Sequence, residues 1–237
     1  MSELISEHPL MNKCRTYRFE TIVISNPETS YSTEKSYVRT AEVYYLGKEK
    51  DHFKYQIVVV DFDFSNDDNA MGKMLKQISY LFDELEVTVD HDGDLVEIDN
   101  INFLRLRWTE ISSQLLENHE GEVINSYFEQ IGSLLEDKAQ LIVFLKGYNM
   151  FGLLFNGLLQ SFDTKRKRPS PDGYTEMMTP VQNGDKTILV ISAEKLEETE
   201  TDYFGGLLRY RGNTYEEGFI EVKTHNYHLK HSLLWIG

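Results

Sequence analysis

Two segments near the start of the chain, Lys13–Ser25 and Ser36–Lys48, are rich in Tyr, Val, Ile, Thr and Phe, residues that suit a pleated, half-buried surface, and both read as strands. In the second, Tyr37, Arg39, Ala41, Val43 and Tyr45 share one face and Val38, Thr40, Glu42, Tyr44 and Leu46 the other, so neither face is cleanly apolar. After a turn at Gly47–Asp51, the strand His52–Phe64 has a centre, Ile57–Val60, that is apolar on both sides, which places it inside a sheet.

The period then changes. Ser65, Asn66, Asp67, Asp68 and Asn69 are N-capping types, and the acids among them favour the positive end of a helix dipole. Met71, Met74, Leu75, Ile78, Leu81, Phe82 and Leu85 follow in one helical stripe. Glu86–Asp90 and Leu95–Asp99 flank an Asp92-Gly93 pair, a hairpin signature. Asn100 or Asn102 starts a second helix with Ile101, Leu104, Trp108, Ile111 and Leu115 on one side. A third runs from Glu122 through Leu145, and the two are expected to pair antiparallel. Gly147, Gly152 and Gly157 break or bend the apolar tract beyond Lys146, each costing a helix about 1 kcal/mol relative to Ala.

From Tyr174 the pattern returns to β. Asp163–Gly173, with Lys165, Arg166, Lys167 and Arg168 before two prolines, reads as an exposed loop. Tyr174–Val181 and Lys186–Glu194 flank an Asn183-Gly184 turn, and Phe204–Arg211 and Thr214–Thr224 flank Gly212-Asn213. Tyr227–Ile236 is the last strand. Two-residue reversals force antiparallel neighbours, and no regular β-α-β alternation is present. The expected fold class is therefore α+β, an antiparallel sheet from both ends of the chain packed around or against a central helical segment. It is read as one domain over residues 1–237, with N-terminal strands at 13–64, helices and a hairpin at 69–160, and C-terminal strands at 174–236.

Charge narrows the partners. With 39 acids against 24 bases the chain carries −15, which repels nucleic acid and anionic lipid and attracts a basic protein. Cys14 is the only cysteine and Met1–Leu10 lacks the basic, then apolar, pattern of a secretory signal, which points to the cytoplasm. Leu141–Leu159 is apolar but interrupted by Lys146, Asn149 and Asn156, so it reads as core, and no membrane partner is expected.

No motif commits the chain to catalysis. It has no Gly-x-Ser-x-Gly elbow, phosphate-cradling glycine loop or His-Glu-x-x-His helix. No catalytic residue, cofactor or metal is assigned. Asp90, Asp92 and Asp94 lack the flanking helices and spacing of a calcium loop. Asp61, Asp63, Asp67 and Asp68 form a second acidic group that helix capping partly explains. On a strand, His225 and His231 share a face but lie about 20 Å apart, with His228 facing the other way, so they cannot share an ion. The leading expectation is a non-catalytic protein that binds a basic partner, such as a cognate toxin, through Asp67, Asp68, Glu197, Glu198, Glu200 and Asp202. The alternative is a carrier or sensor that holds an apolar small molecule near Phe144, Phe151 and Phe155. A third reading is a hydrolase or transferase whose cleft the sequence does not reveal.

Overall fold

Every strand of the described chain belongs to one antiparallel sheet. The computed structural model describes residues 14–65, 70–117, 121–170, 172–194, 196, 199–212 and 214–237. Its strands are β1 (Arg15–Ser25), β2 (Thr33–Glu49), β3 (His52–Phe64), β4 (Glu84–Val89), β5 (Leu95–Ile98), β6 (Arg166–Pro169), β7 (Thr175–Asn183), β8 (Lys186–Glu194), β9 (Thr201–Arg211), β10 (Thr214–Thr224) and β11 (Tyr227–Trp235). Their order across the 11-stranded sheet is β5-β4-β3-β2-β1-β11-β10-β9-β8-β7-β6. Every neighbour but one is a neighbour in sequence. The exception is the pair β1 and β11, aligned from Tyr17 with Trp235 to Ser25 with Tyr227, which joins the two halves of the chain.

The helices lie between β3 and β4 and between β5 and β6. They are α1 (Ala70–Ser79), α2 (Ile101–Leu116), α3 (Glu122–Glu136), α4 (Lys138–Leu145) and the single turn α5 (Gly152–Phe155), with a 3-10 turn at Tyr80–Phe82. The stripe expected to run helical through Leu85 stops earlier. Val59 N–H donates to Asp83 O (2.7 Å) and Leu85 sits opposite Ile57, so the sheet takes over as soon as β3 offers a partner. The long third helix is two. Asp137 accepts from the N–H groups of Ala139 and Gln140 and starts α4 afresh. Asn100 stands at the N-cap position of α2, but its side chain bonds β4 instead, accepting from Glu86 N–H (3.0 Å) and donating to Glu84 O (3.1 Å). In β3, Val60 is 53% exposed rather than buried on the outer face. It falls at the register shift between Thr40 with Asp61 and Ala41 with Val59.

The expected exposed loop at 163–173 holds a strand. β6 pairs Arg168 with Glu176 and Arg166 with Met178, which turns both arginines toward the buried face of β7. β5 and β6 are the sheet's edges, each only four residues long, which limits the backbone open to pairing. Residues 156–157 join the two edges. Gly157 N–H donates to Gly93 O (3.2 Å), Asp94 forms an antiparallel bridge with Asn156, and Arg166 donates to Asp92 O (3.4 Å).

Candidate functional site

Strand register decides which acids lie together. Ser25 pairs with both Thr33 and Tyr227, Tyr37 pairs with Phe64, and Thr224 pairs with Thr201. One end of the sheet therefore collects the C-terminal end of β3, the β1–β2 turn, the β10–β11 turn and the start of β9. Glu200 and Asp202 are exposed there, as are Glu28, Glu34, Asp61 and Asp63. Among the described residues none of these six acids is in an ion pair. Asp67, Asp68, Glu197 and Glu198 lie outside the described residues. At the opposite end Glu49 pairs with Lys54 (2.9 Å) and Glu217 with Arg209 (2.6 Å).

The three phenylalanines of the alternative reading lie in or against the hydrophobic core. Phe151 and Phe155 are buried with ring centres 6.4 Å apart, and Phe151 meets Phe19 of β1 edge-on at 5.7 Å. Phe144, half-buried, packs instead on Phe82 of the 3-10 turn at 5.5 Å. The glycine-spaced tract behaves as core filling. Two hollows open to solvent lie on the helices, one of about 270 Å³ beside Tyr80 and Arg107 and one of about 440 Å³ beside Val123 and Tyr127.

A polar cluster that the sequence did not single out lies where residues 148–156 meet the sheet. Arg168 pairs with Glu176, whose carboxylate is 3% exposed. Tyr148 donates to the same carboxylate (2.9 Å) and accepts from Arg168 (2.7 Å), while Arg168 also donates to Asn156 O (3.3 Å). Burial pushes the Tyr148 phenol far above its ordinary value. His231 lies 6.1 Å from the Tyr148 ring, with Nδ1 in a hydrogen bond to Thr21 Oγ1 (3.0 Å), and burial lowers its pKa to about 4. The signal for Glu176 was its alternation with Met178, which puts a carboxylate on the apolar face of β7. That face is also where the basic run docks, with Lys167 reaching Glu194 (3.0 Å) on the outer side.

The other candidates have local duties. Asp90 accepts from the N–H groups of Asp92 and Asp94 (2.9 Å each), Asp92 faces Arg166 (3.5 Å) and Asp94 faces Lys146 (3.0 Å). His228 bonds Glu221 (2.6 Å) and His225 is exposed in the β10–β11 turn. Cys14 is exposed.

On β2, Arg39 faces inward. Its guanidinium lies over the rings of Phe62 (5.6 Å) and Phe151 (5.1 Å) and donates weakly to the Met150 sulfur (3.8 Å). Burial alone lowers its pKa to about 10.

No family model matches the chain, and no curated protein matches it. Among solved structures, one of lipovitellin, determined for its lipid–protein interactions, is similar over 94% of this chain and 25% of that one, at 8% identity and a TM-score of 0.46. Rv2717c from M. tuberculosis is similar over 94% of this chain and 91% of its own, at 10% identity and a TM-score of 0.28. The chain thus spans about a quarter of the lipovitellin chain. At those scores neither likeness bears on activity.

Proposed function

We propose that the protein is a non-catalytic binding protein that engages a basic protein through the acid-rich end of its sheet. The observation that carries this reading is the gathering of Glu28, Glu34, Asp61, Asp63, Glu200 and Asp202 at one end, exposed and without ion pairs among the described residues. Unpaired acids on exposed turns and strand ends project a negative field that steers a cationic partner and discriminates against acidic ones. Neutralising a basic toxin is one form of that activity. In the same reading the sheet wraps the helical segment. The support for this is the packing of Phe151 against Phe19 and Arg39, which ties residues 150–155 to β1 and β2.

The test compares two variants of equal charge change in a titration with a decalysine peptide across a salt series. One carries Asp61→Asn, Asp63→Asn, Glu200→Gln and Asp202→Asn; the other carries Glu49→Gln, Asp51→Asn, Asp185→Asn and Glu217→Gln at the opposite end. The first is expected to lose about tenfold in affinity at low salt and to show a shallower salt dependence, the second little. Equal losses in the two would reduce the effect to net charge and remove the site.

A further inference from the structure

An antiparallel sheet with one face on the core is expected to turn polar residues outward on the other. The inner side of β8–β10 follows that rule, with Leu189, Ile191, Leu208 and Ile220 in the core. The outer side does not. Strand registers set Val181 beside Ile188 in one outward row, and Val190, Leu207 and Phe219 side by side in the next. Leu234 of β11 lies in the first row, beside Glu217. Val181, Val190, Phe219 and Leu234 are 36–47% exposed, and Ile188 and Leu207 are half-buried. Followed onto β1–β3, the same rows become polar: Arg18, Thr40 and Asp61 in one, Glu20 and Asp63 on either side of Val38 in the other. The apolar outer surface is thus confined to β7–β11, and a contiguous patch rimmed by charge marks an interaction surface.

We propose that a second copy of this chain docks here, sheet on sheet, about a two-fold axis parallel to the strands and midway between β9 and β10. Charge selects that axis. Arg209 and Glu217 are register partners on β9 and β10, point outward and pair at 2.6 Å. Rotation about the axis lays β9 on the partner's β10 and keeps each row opposite itself. Arg209 then meets the partner subunit's Glu217, and Glu217 its Arg209. Leu207 meets the partner subunit's Phe219, and Ile188 falls on its Leu234. No like charges oppose each other in these two rows. A two-fold across the strands, through the Phe219 row, would instead set Glu217 against the partner subunit's Glu221. Stacked sheets keep their strands within about 30° of each other, so the match holds near the axis. Five strands about 4.8 Å apart, over three outward rows, cover on the order of 500 Å² per copy. Stable complexes bury about 800 Å² per partner, which makes this dimer weak and reversible. The docked face leaves the acid-rich end uncovered, and because the axis follows the strands, both acid-rich ends point the same way. The dimer does not depend on what that end binds.

Sedimentation velocity of the full chain, from about 5 to about 500 µM, is expected to show a reversible monomer–dimer equilibrium. Phe219→Lys puts a charge at the centre of the face and should weaken dimerisation about tenfold or more. The deciding pair is Arg209→Glu and Glu217→Arg. Their side chains are 52% and 44% exposed, so the fold tolerates either change. Each variant alone sets like charges across the axis and should stay monomeric, whereas an equimolar mixture restores both cross pairs and should dimerise about as tightly as the wild type. Mixing cannot repair a pair broken within one chain, so recovery reports contact between copies. A wild type that is monomeric at every concentration, a Phe219→Lys variant that dimerises like the wild type, or a mixture no more associated than the single variants would each overturn the proposal.

Discussion

Gly93 and Gly157 meet backbone to backbone: a Cβ built at position 93 would lie 3.3 Å from the Gly157 Cα, and one at position 157 would lie 3.0 Å from Asp92 O. Both have positive φ, 84° and 73°, in the region that disfavours side chains. This contact fastens the tip of the β4–β5 hairpin to the segment leading into β6, and so ties the two edges of the sheet.

Gly157→Ala is therefore expected to cost more than an ordinary glycine replacement, about 2 kcal/mol from the strained φ and the close carbonyl together. Urea unfolding gives the number, and Gly184→Ala, at a φ of 65° with nothing within 4 Å of its Cβ, is the control that isolates the backbone share. Equal costs at the two positions would mean that the seam relaxes freely.

Arg168 and Glu176 make the strongest case for a buried pair, with side chains 19% and 3% exposed. Glu176→Ala leaves a buried guanidinium without its acid and is expected to cost about 3–5 kcal/mol, whereas the double change to Met at both positions should restore most of that. A double-mutant cycle in urea reads the coupling, and a double variant no more stable than Glu176→Ala alone would show that the pair's packing, not its charge, matters.

His231 couples stability to pH with a defined sign. Its folded pKa of about 4 lies below the ordinary 6.5 because burial disfavours the cation. Between those values the unfolded chain holds a proton that the folded chain does not, so stability falls as the pH drops through that window, by up to about 3 kcal/mol. His231→Asn should flatten this part of the stability profile. An imidazole proton resonance for His231 that titrates near 6.5 in the folded protein would contradict it.

The legible part of the candidate site was its exposed acids: Glu200 and Asp202 are outside because they follow a turn and carry charge. Arg168 was misread. Four consecutive bases before proline look solvated, and only the pairing of β6 with β7 reveals that Arg168 points into the interior toward Glu176. Arg39 looked like one polar residue on a strand of mixed faces, and nothing in its neighbours along the chain separates an inner arginine from an outer one.

What the amino-acid order settled by itself is local. The Asp-Gly and Asn-Gly reversals, the alternation in β7–β10 and the apolar stripe of α2 depend on backbone conformations and side-chain periods spanning a few residues, and these act before the chain has any global shape. The tertiary structure decided the pairing of β1 with β11, the choice of inner face for strands whose two sides are alike, the end at which the acids gather and the seam at Gly93 and Gly157. Those depend on segments far apart in sequence competing to bury the same surface, a contest that no short window of residues contains.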